Sequence, residues 1–69
     1  MSFYGWLCQQ ANRQDGIGAF ARYACKDKVF PRNRNDLFII LLRYEGLPEK
    51  RAAAKTAHRE WRRARRSAA

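Results

Sequence analysis

Residues 48–66 read PEKRAAAKTAHREWRRARR, and their pattern predicts one amphipathic helix. Small residues and one tryptophan recur every three or four positions on one side of it: Ala54, Ala57, Trp61 and Ala64. Basic residues recur at the same steps on the opposite side, because 3.6 residues complete one helical turn; they are Arg51, Lys55, Arg59, Arg62 and Arg66. We therefore expect an inner stripe of small residues and an outer cationic stripe, which suits a polyanion.

The positive charge of the chain is concentrated in this segment. Residues 50–69 hold eight Lys and Arg against one acid, Glu60, and so carry +7 of the formal net charge of +9. A pI of about 10.6 favours nucleic acid, an acidic protein surface or anionic lipid as a partner. Membrane contact is not expected, because an interfacial helix needs bulky apolar residues and this one offers mainly alanine. The longest apolar run, residues 37–42, is far shorter than the roughly 20 residues of a membrane span.

Three shorter helices are predicted upstream. Ser2 is a good N-cap for a first helix that ends by Gln10 or Ala11, and Asp15 is a good N-cap for a second. The second helix has the clearest apolar periodicity of the chain, and the pair Phe30-Pro31 ends it.

The third helix is predicted over the apolar run at residues 37–42. Asn33 or Asn35 is its expected N-cap, Gly46 is suited to the turn after it, and Pro48 suits the first turn of the last helix. A lone strand over the same run would have no partner elsewhere in the chain. The predicted fold class is all-α, a compact bundle of four to five short helices in one domain over residues 1–66, with residues 67–69 as a disordered tail.

Several short motifs, in this order and spacing, resemble the YozE-like family of small bacterial proteins. They are Ser2-Phe3-Tyr4-Gly5-Trp6-Leu7, Ile17-Gly18 with Ala21-Arg22, Asp27, Phe30-Pro31 and Asn35-Asp36. The resemblance covers roughly residues 2–45, and Trp61 is similar to a tryptophan of the family's last helix. It implies a sterile-alpha-motif-like fold, a fold that serves protein interaction, self-association or nucleic-acid binding in different proteins, and it implies no particular activity.

The chain departs from this family in two places. The last helix tends to be acidic in the family, whereas here it is rich in arginine. The third helix tends to carry polar residues where this chain has Phe38, Ile39, Leu41 and Leu42. These four residues are expected to leave an apolar surface exposed, because so small a domain cannot wrap one helix completely, and they are the predicted site of self-association as a homodimer.

The cationic stripe is the predicted functional site. Guanidinium groups suit phosphate oxygens, so we expect nucleic-acid binding, to duplex DNA more than to RNA, in a regulatory or architectural role. The expected contact residues are Arg51, Lys55, Arg59, Arg62, Arg63 and Arg66, with Arg32 and Arg34 extending the surface. The alternative is an adaptor or inhibitor that docks this basic face on an acidic partner protein.

Other chemistry is not expected from this sequence. No nucleophile lies beside a plausible base, so the protein is predicted to be a non-enzyme with no cofactor. Cys8, Cys25 and His58 are too few for a zinc site of standard spacing. Without a recognisable signal peptide, a cytoplasmic bacterial protein is expected, nucleoid-associated if it binds DNA, and in that reducing compartment the two cysteines are predicted to be free thiols.

Overall fold

Four α-helices form the structure, a computed structural model that describes residues 1–68. They are α1 (Phe3–Gln9), α2 (Gly16–Lys26), α3 (Leu37–Arg43) and α4 (Pro48–Ala68), and no strand occurs among the described residues. The predicted all-α bundle is confirmed. Its last helix, however, is long, with 21 residues in a molecule that measures 35 × 25 × 19 Å.

Side-chain caps fix where the first three helices begin. The Ser2 hydroxyl accepts from the Gly5 amide at 3.0 Å, and the Asp15 carboxylate accepts from the Gly18 amide at 2.9 Å, which confirms both predicted N-caps. The predicted cap of α3 is wrong, because Asp36 accepts from the Phe38 amide at 2.8 Å. Asn35 instead accepts from the distant Phe3 amide at 2.9 Å and so joins the start of α1 to the connector before α3.

The second helix ends earlier than the Phe30-Pro31 pair. Its last residue is Lys26, and the backbone of Asp27 is already extended. The Asp27 carboxylate accepts from Arg43 at 2.9 Å and from the Tyr44 hydroxyl at 3.2 Å. These bonds tie the residue that follows α2 to the end of α3.

A tight turn connects α3 to α4. Gly46 has a φ of +82°, a left-handed conformation that favours glycine, and the Leu47 amide donates to the Tyr44 carbonyl at 3.0 Å. The last helix then begins at Pro48, as predicted. The turn folds α4 back along the other three helices.

One apolar core holds the helices together, and its largest fully buried side chains are Tyr44, Phe3, Leu7 and Ile40. From α4 it receives Ala54, Ala57 and Trp61, as the small-residue stripe predicts. Ala64 of the same stripe is exposed. The reason is geometric: residues 62–67 are all exposed, so α4 extends past the core after Trp61.

The helix α4 continues through Ser67 and Ala68, two of the three residues predicted as a tail, and neither Gly nor Pro follows Arg66 to end it. Ala69 lies outside the described residues. Cys8 and Cys25 form a disulfide and are not free thiols, because the packing of α1 on α2 brings their Cα atoms to 5.8 Å, within the usual disulfide range. No helix within residues 1–68 has the length and apolar character needed to cross a membrane.

Candidate nucleic-acid interface

Six cationic side chains on α4 are exposed to solvent, and five of them share one side of the helix: Lys55, Arg59, Arg62, Arg63 and Arg66. We call these five residues the basic face. The buried side of the helix is formed by Ala54, Ala57, His58 and Trp61. Because the core contacts use only that side, the sequence pattern that buries α4 also leaves the basic face free of packing contacts.

From Lys50 onward α4 contains a single acid, Glu60, and this acid is held away from the basic face. Glu60 pairs with Arg13, with 3.0 Å between Oε1 and Nη1, and Arg13 also pairs with Asp15. Hydrogen bonds to Glu60 first, and to Asp15 second, raise the pKa of the Arg13 guanidinium. Glu60 lines the groove between α2 and α4 together with Ile17. It therefore points toward α2, and its charge is compensated there.

Arg51 lies at the α3 end of the cationic stripe and has a structural contact. Its side chain is half-buried, and Nη1 donates to the Leu41 carbonyl at 3.0 Å near the end of α3. The Leu41 carbonyl also accepts from the Tyr44 amide at 3.1 Å, so Arg51 adds a second hydrogen bond at the C-terminal end of α3. Arg51 therefore helps to attach α4 to α3, and we treat it as adjacent to the basic face.

The two connector arginines have different surroundings. Arg32 places its guanidinium 5.1 Å from the centre of the Tyr4 ring, which directs it toward α1. Arg34 is exposed and precedes Asn35, whose carbonyl accepts from His58 Nε2 at 2.7 Å. This bond packs the connector against the middle of α4, one residue before Arg59. Arg34 is thus brought beside α4, whereas Arg32 is not.

Arg65 is a cationic residue that the spacing argument leaves off the stripe. Its guanidinium lies 4.7 Å from the centre of the Trp61 ring, and the indole Nε1 of Trp61 donates to the Met1 carbonyl at 3.2 Å. The side chain is exposed, so it adds positive charge beside the basic face. Sequence alone gave one signal for it, the four-residue step from an aromatic to an arginine on one helix.

The residues predicted for self-association divide into two pairs. Phe38 and Leu42 are 67% and 50% exposed, and they share one face of α3 because they are four residues apart. Ile39 and Leu41 are half-buried, and Leu41 packs against the core. The exposed pair borders a shallow groove of about 300 Å³, which is lined by Phe38, Leu41, Leu42, Glu45, Gly46 and Arg51.

Outside these surfaces, Asp27 pairs with Arg43, with 2.9 Å between Oδ1 and Nη2. The Asp27 side chain is 7% exposed, and its hydrogen bond from Arg43 is the main cause that lowers the pKa of its carboxyl group. In residues 1–68 no three His, Cys, Asp or Glu side chains are grouped so that they would hold a metal ion. The basic face and the exposed pair on α3 both lie outside the core cluster, one as a cationic surface and the other as an apolar one.

A family model described as YozE SAM-like fold matches residues 2–62. The match confirms the resemblance seen at residues 2–45 and extends it through Trp61 in α4. No curated protein and no solved structure matches the chain. The family description gives a fold and no activity, so a function has to be argued from the surfaces themselves.

Proposed function

The chain belongs to the YozE SAM-like family, and from that premise we propose that it is a small non-enzymatic nucleic-acid-binding protein. It binds duplex DNA through the basic face of α4, in a regulatory or architectural role. The observation that supports this most is that five exposed cations share one side of a helix whose only neighbouring acid is paired with Arg13. In a bacterial cell such a protein would be associated with the nucleoid.

The dimensions of the basic face suit a duplex. From Lys55 to Arg66 the helix rises about 17 Å, at 1.5 Å per residue. Double-stranded DNA carries roughly one charge per 1.7 Å of its axis, so about ten phosphates lie along that length. Five cations therefore have enough phosphate oxygens within reach of one docked helix.

Phosphate contact is expected to dominate over base reading. The basic face contains four arginines and one lysine but no Asn or Gln, the side chains that pair with adenine edges. Arginine forks bind phosphate oxygens well and carry no sequence information when they do so. We therefore expect moderate affinity for any duplex, with little dependence on its sequence.

The aromatic residues favour a duplex over a single strand. Binding of unpaired bases relies on exposed rings that stack on them. Trp61, the aromatic residue of α4, is only 2% exposed. Tyr23 is exposed, but its ring lies 4.3 Å from the Lys50 ammonium beside the groove between α2 and α4. Stacking surfaces are thus missing from the basic face.

The decisive experiment is a fluorescence-anisotropy titration of the full chain against a random duplex, a single strand and an RNA hairpin. The variant Arg59→Glu/Arg62→Glu reverses two charges at the centre of the basic face. Lys26→Glu/Lys28→Glu is the matched control, because it makes the same change in net charge at two exposed residues outside α4. We expect the first variant to lose duplex binding and the control to keep most of it.

Three results would argue against the proposal. Equal loss in both variants would mean that net charge matters and the basic face does not. Stronger binding to the hairpin than to the duplex would assign the surface to RNA. Absence of binding to all three probes at low salt would favour the alternative hypothesis. In that case the protein is an adaptor or inhibitor whose basic face docks on an acidic protein.

A further inference from the structure

The exposed side of α3 is apolar in a way that the fold does not require. Phe38 and Leu42 stand on this side, and Leu47 after the turn is 42% exposed. Phe38 contributes nothing to the core cluster, and 67% of its surface meets solvent. An apolar pair beside a groove, in a domain this small, is typical of a surface that binds another protein.

Opposite charges stand at the rim of this apolar surface. Glu45 and Arg51 both line the groove that contains Phe38 and Leu42. The ion pairs among residues 1–68 join Arg13 to Asp15 and Glu60, and Arg43 to Asp27. Glu45 and Arg51 are thus in none of them. One acid and one base at the rim of the same groove make the surface complementary to itself.

We propose that the α3 surface is a two-fold interface with a second copy of this chain. In a two-fold dimer the same patch is used twice, so that Glu45 of each copy meets Arg51 of the other. Phe38 and Leu42 of the two copies then cover one another between these two ion pairs. A partner surface of a single sign would leave one of the two rim charges unpaired, whereas a second copy satisfies both.

The net charge sets the strength of this dimer and its response to salt. Two copies that each carry +9 repel one another, and the patch is small, so dissociation at concentrations on the order of 100 µM is expected. Salt screens this repulsion and does not weaken apolar burial. The dimer should therefore be tighter at about 0.5 M salt than at about 0.05 M, where the Debye length is several ångströms longer. Binding of DNA by the basic face should weaken over the same range, which keeps the two proposals separable.

A charge-swap experiment followed by sedimentation velocity tests the arrangement directly. The variant Glu45→Arg alone places two bases opposite each other, and Arg51→Glu alone places two acids opposite each other. Each should weaken self-association about tenfold, as expected for the loss and reversal of two exposed pairs. An equimolar mixture of the two variants restores both opposite-charge contacts, so a heterodimer about as tight as the wild-type dimer should form.

A second comparison does not depend on Arg51, whose bond to the Leu41 carbonyl supports the fold. Phe38→Ser should weaken the dimer by about 100-fold or more, because two buried rings are lost per dimer. Val29→Ser is the control, since Val29 is 69% exposed and lies outside the groove. A monomer at about 1 mM in both salts, or a dimer that Phe38→Ser leaves unchanged, would overturn the proposal. Mixed variants that stay monomeric while Phe38→Ser weakens the wild-type dimer would overturn the pairing of Glu45 with Arg51.

Discussion

Arg13 and Glu60 form an ion pair with 3.0 Å between Nη1 and Oε1, although 47 positions of sequence separate them. The pair joins the loop between α1 and α2 to the last helix. It also removes the one acid of the basic segment from the neighbourhood of the exposed arginines. The helical position of Glu60 puts it off the basic face, and the ion pair compensates its charge, so the basic face keeps a single sign.

The salt dependence of DNA binding should report five phosphate contacts. With the five cations of the basic face engaged, the logarithm of the affinity should fall against the logarithm of salt with a slope of roughly −4.5. Arg63→Gln should reduce the size of this slope by about 0.9, because it removes one contact. Glu60→Gln should leave the slope unchanged, since Glu60 points toward α2. A wild-type slope near −1 would contradict this interface.

Gly18 should not tolerate a side chain. A Cβ at this position would overlap the backbone carbonyl of Arg13, where the loop before α2 crosses the helix. We expect Gly18→Ala to lower the free energy of unfolding by about 2 kcal/mol or more, as overpacking against backbone does. Gly16→Ala is the control, because nothing lies within 4 Å of a Cβ there, and it should be neutral or stabilising by up to about 1 kcal/mol. Urea unfolding of both variants measures the difference; equal stability would show that the loop can move away.

The sequence predicted the features of this fold that depend on local spacing. Helical periodicity placed Ala54, Ala57 and Trp61 inside and the basic face outside, because those positions follow from 3.6 residues per turn alone. Ser2 and Asp15 are predictable as N-caps because capping is a local interaction: each side chain accepts from an amide only three residues ahead.

Features that depend on contacts between distant segments were not predictable in this way. Asn35 was a reasonable cap for α3, but its side chain bonds the Phe3 amide, 32 residues away. Predicting the disulfide requires knowing that the packing of α1 on α2 brings Cys8 and Cys25 together. Arg51 fits the spacing of the cationic stripe, yet its bond to Leu41 depends on how the turn at Gly46 folds α4 back.

Loss of the disulfide between Cys8 and Cys25 should destabilise the protein. The bond closes a loop with a sequence separation of 17, and a loop of that size is worth about 3 kcal/mol through the constraint on the unfolded chain. Urea unfolding with and without a thiol reductant should show a loss of about that size. The variant Cys8→Ala/Cys25→Ala should have a stability close to that of the reduced wild type in both conditions and no response to the reductant. A wild-type stability that is the same with and without the reductant would contradict the prediction.

Acid should weaken the tie between Asp27 and the end of α3. Asp27 accepts from Arg43, from the Val29 amide and from the Tyr44 hydroxyl, and the Arg43 bond is the main cause that lowers its pKa. A carboxyl group whose folded pKa is lowered stabilises the fold above its unfolded pKa, near 3.9, and this stabilisation is lost as pH falls through the folded value. At pH 7, Asp27→Asn should therefore cost about 1–3 kcal/mol, the usual loss for hydrogen bonds to a charged group.

The Asp27→Asn variant also tests how the stabilisation by Asp27 changes with pH. Urea unfolding between about pH 7 and pH 2 should show the difference between wild type and Asp27→Asn shrinking as the pH falls below about 5, because the wild-type carboxylate becomes protonated. Asp15→Asn is the control: the pKa of Asp15 is also lowered, chiefly by the Gly18 amide, but asparagine caps a helix about as well as aspartate. At pH 7, Asp15→Asn should lower the free energy of unfolding by less than Asp27→Asn does. A difference for Asp27→Asn that stays constant with pH would mean that its charge does not stabilise the end of α3.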